Sequence, residues 1–344
     1  MSTAEKITEE KKITRKDFMT DQAVRWCPGC GDYAVLVSVQ NALAQLEKNK
    51  DDVVFVSGIG CSSRFPYYVD TYGFHTIHGR AVAVATGVKT ANPKLDVWVI
   101  SGDGDSLSIG GNHFIHAIRR NIGLKYLVFN NEIYGLTKGQ YSPTTKQGAV
   151  TKSSPFGSLE QPFNPASLCI GAESSFYARV TDTNPKMMTE IFVAAAKHKG
   201  TAFIEILQNC VIFNNKTHEQ ITGKEFRDDN QLVLKHGEPM IFGQNKDKGI
   251  VLDKTELKVV RIGENGITEA DVLKHDAHAE SPNLAFMLSR FTLPQYPVPI
   301  GIIRQVDRPA YEEQLHAQIK HAKEKKKAVD LNQLLNSGDT WEVD

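Results

Sequence analysis

The sequence predicts an α/β fold, a mainly parallel sheet flanked by helices on both faces, with a smaller C-terminal extension. Three observations carry the prediction. Short runs rich in Val, Ile and Phe alternate with longer amphipathic stretches from about residue 52 to 208. A Gly-rich turn, Gly102 to Gly104, separates one apolar run from a helical pattern. From about Asn214 the rhythm gives way to polar sequence and short alternating runs.

Taken in order, residues 1–24 form a charged N-terminal arm without the apolar core of a signal peptide. Residues 25–213 form the main domain. Its predicted strands are DVVFVSG at 52–58, DVWVISG at 96–102, LKYLVFN at 124–130, YARVT at 177–181 and AFIEILQ at 202–208. Helical patterns occupy 79–91, 106–120 and 185–198, the last with Pro185 in its first turn. Residues 214–344 form the extension: MIFG, GIVLD and ELKVVRIGENG read as short antiparallel strands, and 282–290 and 309–326 as helices. The closing run KEKKK reads as a solvated helix end.

The 344 residues include 40 basic and 40 acidic ones, so the net charge gives no sign of a nucleic-acid or membrane surface. No apolar run approaches the roughly 18 residues of a membrane span, and a cytoplasmic protein is expected. Five cysteines are too few and too scattered for a secreted disulfide scaffold, which leaves metal ligation or redox work.

The glycines of VISGDGDSLS let backbone approach an anion at the C-terminal end of a strand, where open α/β sheets bind ligands. No Lys-Ser or Lys-Thr follows them, and Asp103 would repel a pyrophosphate unless a cation lay between. Mg²⁺ reconciles the charges. The next strand ends in NNEIYG, so Asn131 and the Ile133 carbonyl can share the ion with Asp103. Each motif alone also reads as a turn. Together, GDGDSLS and NN resemble the thiamine pyrophosphate motif of thiamine-dependent enzymes, which implies the thiamine-pyrophosphate-binding fold.

Cys61 follows the first strand and Cys210 the last, so both belong to the sheet edge that carries the glycine turn, and Cys27 and Cys30 of RWCPGCGDY can converge on them. Cys169 falls in a helical pattern and reads as a small buried residue. Four thiolates suit Zn²⁺ or a [4Fe-4S] cluster alike; thiol–disulfide exchange lacks its usual βαβ context. A neighbouring thiamine favours the cluster, because zinc carries no electrons.

The ordered set WCPGCGDY, GIGCSSR, HGRAVAVATGVKTANP, GDGDSLSIGGNH, NNEIYGLTKGQYSPTT and LQNC resembles the β subunit of 2-oxoacid:ferredoxin oxidoreductases, from about Arg25 to Phe213. The resemblance implies Cys27, Cys30, Cys61 and Cys210 as [4Fe-4S] ligands and Asp103, Asn131 and Ile133 as Mg²⁺ ligands. It implies a thiamine pyrophosphate site of Gly60, Cys61, Ser62, His78, Gly102, Asp103, Gly104, Asp105, Asn131, Ile133, Tyr134, Gly135, Leu136 and Thr137. The implied reaction is oxidative decarboxylation of a 2-oxoacid to an acyl-CoA, or the reverse carboxylation, with electrons passed singly to ferredoxin.

No ferredoxin-like run of four cysteines is present, so one cluster delivering directly to external ferredoxin is expected. No position suggests itself for the Glu that activates the aminopyrimidine ring; in the resembling family the α subunit supplies it, which implies an α2β2 assembly inactive without α. Arg64 suits a substrate carboxylate, against the plainer reading of a surface ion pair. His78 suits orientation of the substrate, whereas His113 and His116 read as packing or capping residues. YGLTKGQYSPTT and HEQITGKEFRDDNQ look more like 2-oxoglutarate enzymes than pyruvate or branched-chain ones. The rival readings are a non-oxidative thiamine lyase and a structural zinc-binding subunit.

Overall fold

The computed structural model describes residues 12–325 and 330–343. Residues 1–11 of the expected arm and 326–329, with the end of the Lys run, lie outside the described residues. Strands β1 (Val53–Ser57), β2 (Tyr72–His75), β3 (Asp96–Gly102), β4 (Leu124–Asn130), β5 (Phe176–Thr181) and β6 (Ala202–Leu207) form a parallel sheet in the order β2-β1-β3-β4-β6-β5. After them come β7 (Gln231–Leu234), β8 (Ile241–Phe242), β9 (Lys248–Asp253), β10 (Glu256–Arg261) and β11 (Val298–Gln305).

The strands β1, β4, β5 and β6 are buried along their whole length, as near-continuous apolar runs in a parallel sheet require. Their period of two divides the core. Val54, Val56, Val97, Val99, Tyr126 and Phe203 face one layer; Phe55, Trp98, Ile100, Leu127, Phe129 and Ile204 face the other.

Helix α1 (Asp32–Gln45) packs on the second face. On the first lie α2 (Ala81–Ala91), the short α3 (Asp103–Leu107), α4 (Gly111–Arg120) and α5 (Pro165–Gly171). Helix α6 (Pro185–Lys197) returns to the second face, with Asn184 capping the Met187 amide ahead of Pro185. The connections carrying α5 and α6 thus lie on opposite faces, and the neighbouring ends of β4 and β6 form a crevice where open sheets bind ligands.

The helix expected at 106–120 is two helices, α3 and α4, broken at 108–110. The cause is a close approach of backbones: a Cβ on Gly79 would stand 2.6 Å from the Gly110 nitrogen. β2, YGFH, is the sheet edge and is exposed at all four positions, including its two large apolar residues, Tyr72 and Phe74, so it lacks the continuous apolar run of the inner strands. In the C-terminal region β8, β9 and β10 form the expected antiparallel sheet. β11, however, joins the main sheet, antiparallel to β5 and parallel to β7. The helices at 282–290 and 309–326 are α9 (Asn283–Ser289) and α10 (Tyr311–Lys325), after the short turns α7 (Glu219–Thr222) and α8 (Arg227–Asn230).

Candidate active site

The C-terminal ends of β1, β3, β4 and β6 meet along one edge of the sheet, with residues 26–32 laid over it. All fourteen residues expected at the cofactor, from Gly60, Cys61, Ser62 and His78 through Gly102, Asp103, Gly104 and Asp105 to Asn131, Ile133, Tyr134, Gly135, Leu136 and Thr137, line one cleft of about 80 Å³.

Asp103 is buried at its floor. Its Oδ2 accepts from Ser142 Oγ at 2.5 Å and from Thr144 Oγ1 at 2.6 Å. Burial pushes its carboxyl up to about 6 even though these hydroxyls and the Gly104 amide favour the charged form. Across the crevice, Asn131 Oδ1 accepts the Ile133 amide at 3.2 Å, and Asn131 Nδ2 donates to Gln208 Oε1 at 2.9 Å, which ties the ends of β4 and β6 together. Tyr134 closes the cleft over Gly104: its hydroxyl donates to the Gly104 carbonyl at 2.9 Å, and a Cβ on Gly104 would stand 2.2 Å from its ring.

Asp105 plays a different part. Its two oxygens are taken by protein donors: the Ile59 amide at 3.1 Å, the Gly79 amide at 2.7 Å, His78 Nδ1 at 2.5 Å and Ser101 Oγ at 2.5 Å. One carboxylate thereby joins the loop after β1, the approach to α2 and the end of β3. His78 lies edge-on to Tyr134, with ring centres 6.0 Å apart.

A second cavity, of about 350 Å³, adjoins the first. Cys27, Cys30, Cys61 and Cys210 all line it, with Trp26, Arg64 and Gln208, and it shares Asp32, Cys61, Asn131, Gly135 and Leu136 with the cleft. A tight turn brings the first two cysteines together, with the Cys30 amide donating to the Cys27 carbonyl at 3.0 Å and Gly29 at φ +80°. A Cβ on Gly135 would lie 3.5 Å from Cys210 Sγ and 3.7 Å from Cys61 Sγ, so those sulfurs meet where residue 135 carries no side chain. The Trp26 indole donates to the Cys61 carbonyl at 2.7 Å and Gln208 Nε2 to Cys30 Sγ at 3.2 Å.

Burial pushes the Cys61 thiol up to about 12, with the Asp32 carboxylate and Cys210 adding to it and Arg64 opposing. Burial likewise raises Cys30. These sulfurs become thiolates readily only beside a compensating positive centre. Among the described residues no three His, Cys, Asp or Glu side chains are gathered closely enough to hold a single ion.

Arg64 lines the cysteine cavity and not the cleft. His113 and His116 stand on α4, outside both, and Cys169 is fully buried in the core. Sequence reasoning did not single out Ser142 and Thr144, which hold Asp103, although their hydroxyls stand in the quoted YSPTT. It also missed Gln208, and Asp32, directly after CPGCG. Asp32 is buried with one oxygen unpartnered, and burial followed by repulsion from Asp182 pushes it up to about 7.

Residues 58–206 match the family described as thiamine pyrophosphate enzyme, C-terminal TPP binding domain. The chain is 49% identical over 340 residues to the 2-oxoglutarate oxidoreductase subunit KorB of Mycobacterium tuberculosis, covering 98% of this chain and 90% of that protein. It is 48% identical over 198 residues to the β subunit of 2-oxoacid:ferredoxin oxidoreductase 1 of Aeropyrum pernix, covering 58% of this chain and 62% of that one. Among solved structures it resembles a 2-oxoglutarate:ferredoxin oxidoreductase from Magnetococcus marinus with 2-oxoglutarate, coenzyme A and succinyl-CoA bound. The TM-score is 0.76 at 31% identity, covering 97% of this chain and 98% of that one.

Proposed function

From the premise that the chain belongs to the β subunits of the 2-oxoacid:ferredoxin oxidoreductases, we propose that it acts on 2-oxoglutarate, holding thiamine pyrophosphate through Mg²⁺ in the cleft and one [4Fe-4S] cluster in the cysteine cavity. The observation that carries the reading is the shared wall. Cys61, Asn131, Gly135 and Leu136 line both cavities, so a two-electron decarboxylation site and a one-electron acceptor would be neighbours.

The donor sets fit. Asp103 is a buried carboxylate with, among the described residues, no basic side chain in its hydrogen-bond set, Asn131 adds an amide oxygen, and the Ile133 carbonyl completes an all-oxygen set suited to Mg²⁺. All four cysteines line one cavity of about 350 Å³, which leaves room between them for a polynuclear cluster. When bound, the thiamine supplies the electron sink for loss of CO₂ and the cluster takes electrons singly.

This chain's own residues bind and orient. Ser142 and Thr144 fix Asp103 toward the metal. Tyr134 and Gly104 shape the pyrophosphate floor. Asp105 holds the Nδ1 proton of His78, which leaves Nε2 able to accept or return a proton on the substrate. Arg64 lines the cysteine cavity across the wall it shares with the cleft, so its pairing with the distal carboxylate of 2-oxoglutarate requires the substrate to extend past Cys61. The aminopyrimidine-activating Glu comes from the α subunit in an α2β2 complex, with CoA and ferredoxin as co-substrates. Residues 25–213 carry the site, and β7 and β11 extend the sheet from the C-terminal region.

Viologen reduction by the anaerobic α/β complex with CoA tests the reading. Turnover on 2-oxoglutarate faster than on pyruvate is expected, and the opposite order contradicts the substrate assignment.

A further inference from the structure

The surface around the cysteine cavity has a character that cofactor binding does not use. Cys27 is exposed, whereas Cys30, Cys61 and Cys210 are partly buried, and Pro28 and Gly29 beside it face solvent. Next to this turn, in the loop after β6, Ile212 and Phe213 are 59% and 38% exposed. Cations surround them. Lys152 Nζ stands 6.0 Å over the Phe213 ring, and the Lys152 amide donates to the Gly139 carbonyl, which sets it beside Lys138 on the cavity rim. Arg25 lies on the same rim. On the far side of the turn, Lys216 borders a groove of about 490 Å³ that runs along Gly29 and Cys30.

Among the described residues, no carboxylate pairs with Arg25, Lys138 or Lys152, and Lys216 has only Glu219 at 3.7 Å. In a chain with no net charge, this leaves a basic collar around an apolar centre at the most exposed cysteine. Electron carriers use small, short-lived interfaces steered by charge.

Resting on the reading that these cysteines hold the cluster, we propose that this face is the docking surface for an acidic ferredoxin. The carrier's carboxylates meet Arg25, Lys138, Lys152 and Lys216, and its apolar rim packs on Ile212 and Phe213, which brings it against Cys27. Two ferredoxins dock in turn and take one electron each, as 2-oxocarboxylate and CoA thiol become acyl-CoA, CO₂ and a proton.

The test uses the α/β complex carrying Lys152→Glu and Lys216→Glu together, assayed with methyl viologen and with an acidic ferredoxin at low and high salt. The KM for ferredoxin rises about tenfold or more at low salt and loses most of its salt dependence, while the viologen-linked rate does not fall. An unchanged ferredoxin KM overturns the proposal. So does failure of the variant to co-purify with α, which would assign the face to the subunit interface. A wild-type complex with no viologen activity on any 2-oxoacid instead overturns the functional reading, and the docking surface with it.

Discussion

His78 Nδ1 stands 2.5 Å from Asp105 Oδ1, the same oxygen that accepts the Gly79 amide at 2.7 Å. A carboxylate facing Nδ1 calls for the proton there, which makes Nε2 the basic atom of the ring and holds the imidazole against rotation. His78→Ala is therefore expected to lower kcat by roughly a hundredfold with little change in thiamine pyrophosphate affinity. Asp105→Asn should lower kcat less, and should also lower the melting temperature, because three backbone segments lose a charged acceptor. Steady-state kinetics beside thermal melts separate the two. A kcat unaffected by His78→Ala would remove the residue from the chemistry.

Thr144 donates to Asp103 and lies within 3.0 Å of Asn130 Oδ1, whose own amide donates to the buried Glu205. Thr144→Val keeps the shape and deletes the donor. The loss of one charge-assisted bond, about 1.5–3 kcal/mol, should raise the Mg²⁺ concentration needed for half-maximal cofactor binding by tenfold or more. Titration of thiamine pyrophosphate at stepped Mg²⁺ concentrations measures it, and an unshifted Mg²⁺ requirement would detach the hydroxyl from the metal site.

Gly104 has no room for a methyl group, because Tyr134 occupies the space 2.2 Å from where Cβ would be. Gly104→Ala must push Tyr134 away from the cleft floor. The expected result is loss of the stabilisation that thiamine pyrophosphate gives in thermal melts, with iron content unchanged, since the cysteine cavity lies on the other side of the shared wall.

His198 is buried against Ser175, with Nε2 2.8 Å from Oγ, and burial lowers its pKa from 6.5 to about 4. The fold therefore holds it neutral. Its contribution is complete above pH 6.5 and is lost as the pH falls toward 4, where the unfolded chain binds the proton and the folded chain does not; the amount is roughly 3 kcal/mol. Urea unfolding at pH 7 and at pH 4.5 should show a smaller acid penalty in His198→Gln than in the wild type. An equal penalty would contradict this assignment.

The sheet and the edge that gathers GDGD and NN were legible because the relevant signals are local. Buried parallel strands read as continuous apolar runs, and GDGD and NN lie at their ends. The convergence of Cys61 with Cys210 followed from the same logic, since parallel strands align their C-terminal ends. What stayed hidden depends on tertiary closure. Ser142 reaches Asp103 across 39 positions of sequence, and nothing near either residue announces the contact. β2 is exposed along its length and so lacks the continuous apolar run that marks the inner strands. β7 and β11 were not expected as strands at all: QLVL closes a polar stretch, and VPIGIIRQ lies between two helical patterns with Pro299 and Gly301 inside it. Asp32 was obscured by the cysteines before it.

Whether the two adjoining cavities hold thiamine pyrophosphate and a [4Fe-4S] cluster is decided by anaerobic iron, sulfide and thiamine analysis of the α/β complex, comparing wild type with Cys27→Ala. About four iron and four sulfide per β chain are expected in the wild type, with broad absorbance at about 400 nm. In Cys27→Ala ferredoxin reduction is lost while thiamine pyrophosphate stays bound. Zinc in place of iron, or ferredoxin reduction retained in Cys27→Ala, would contradict the assignment.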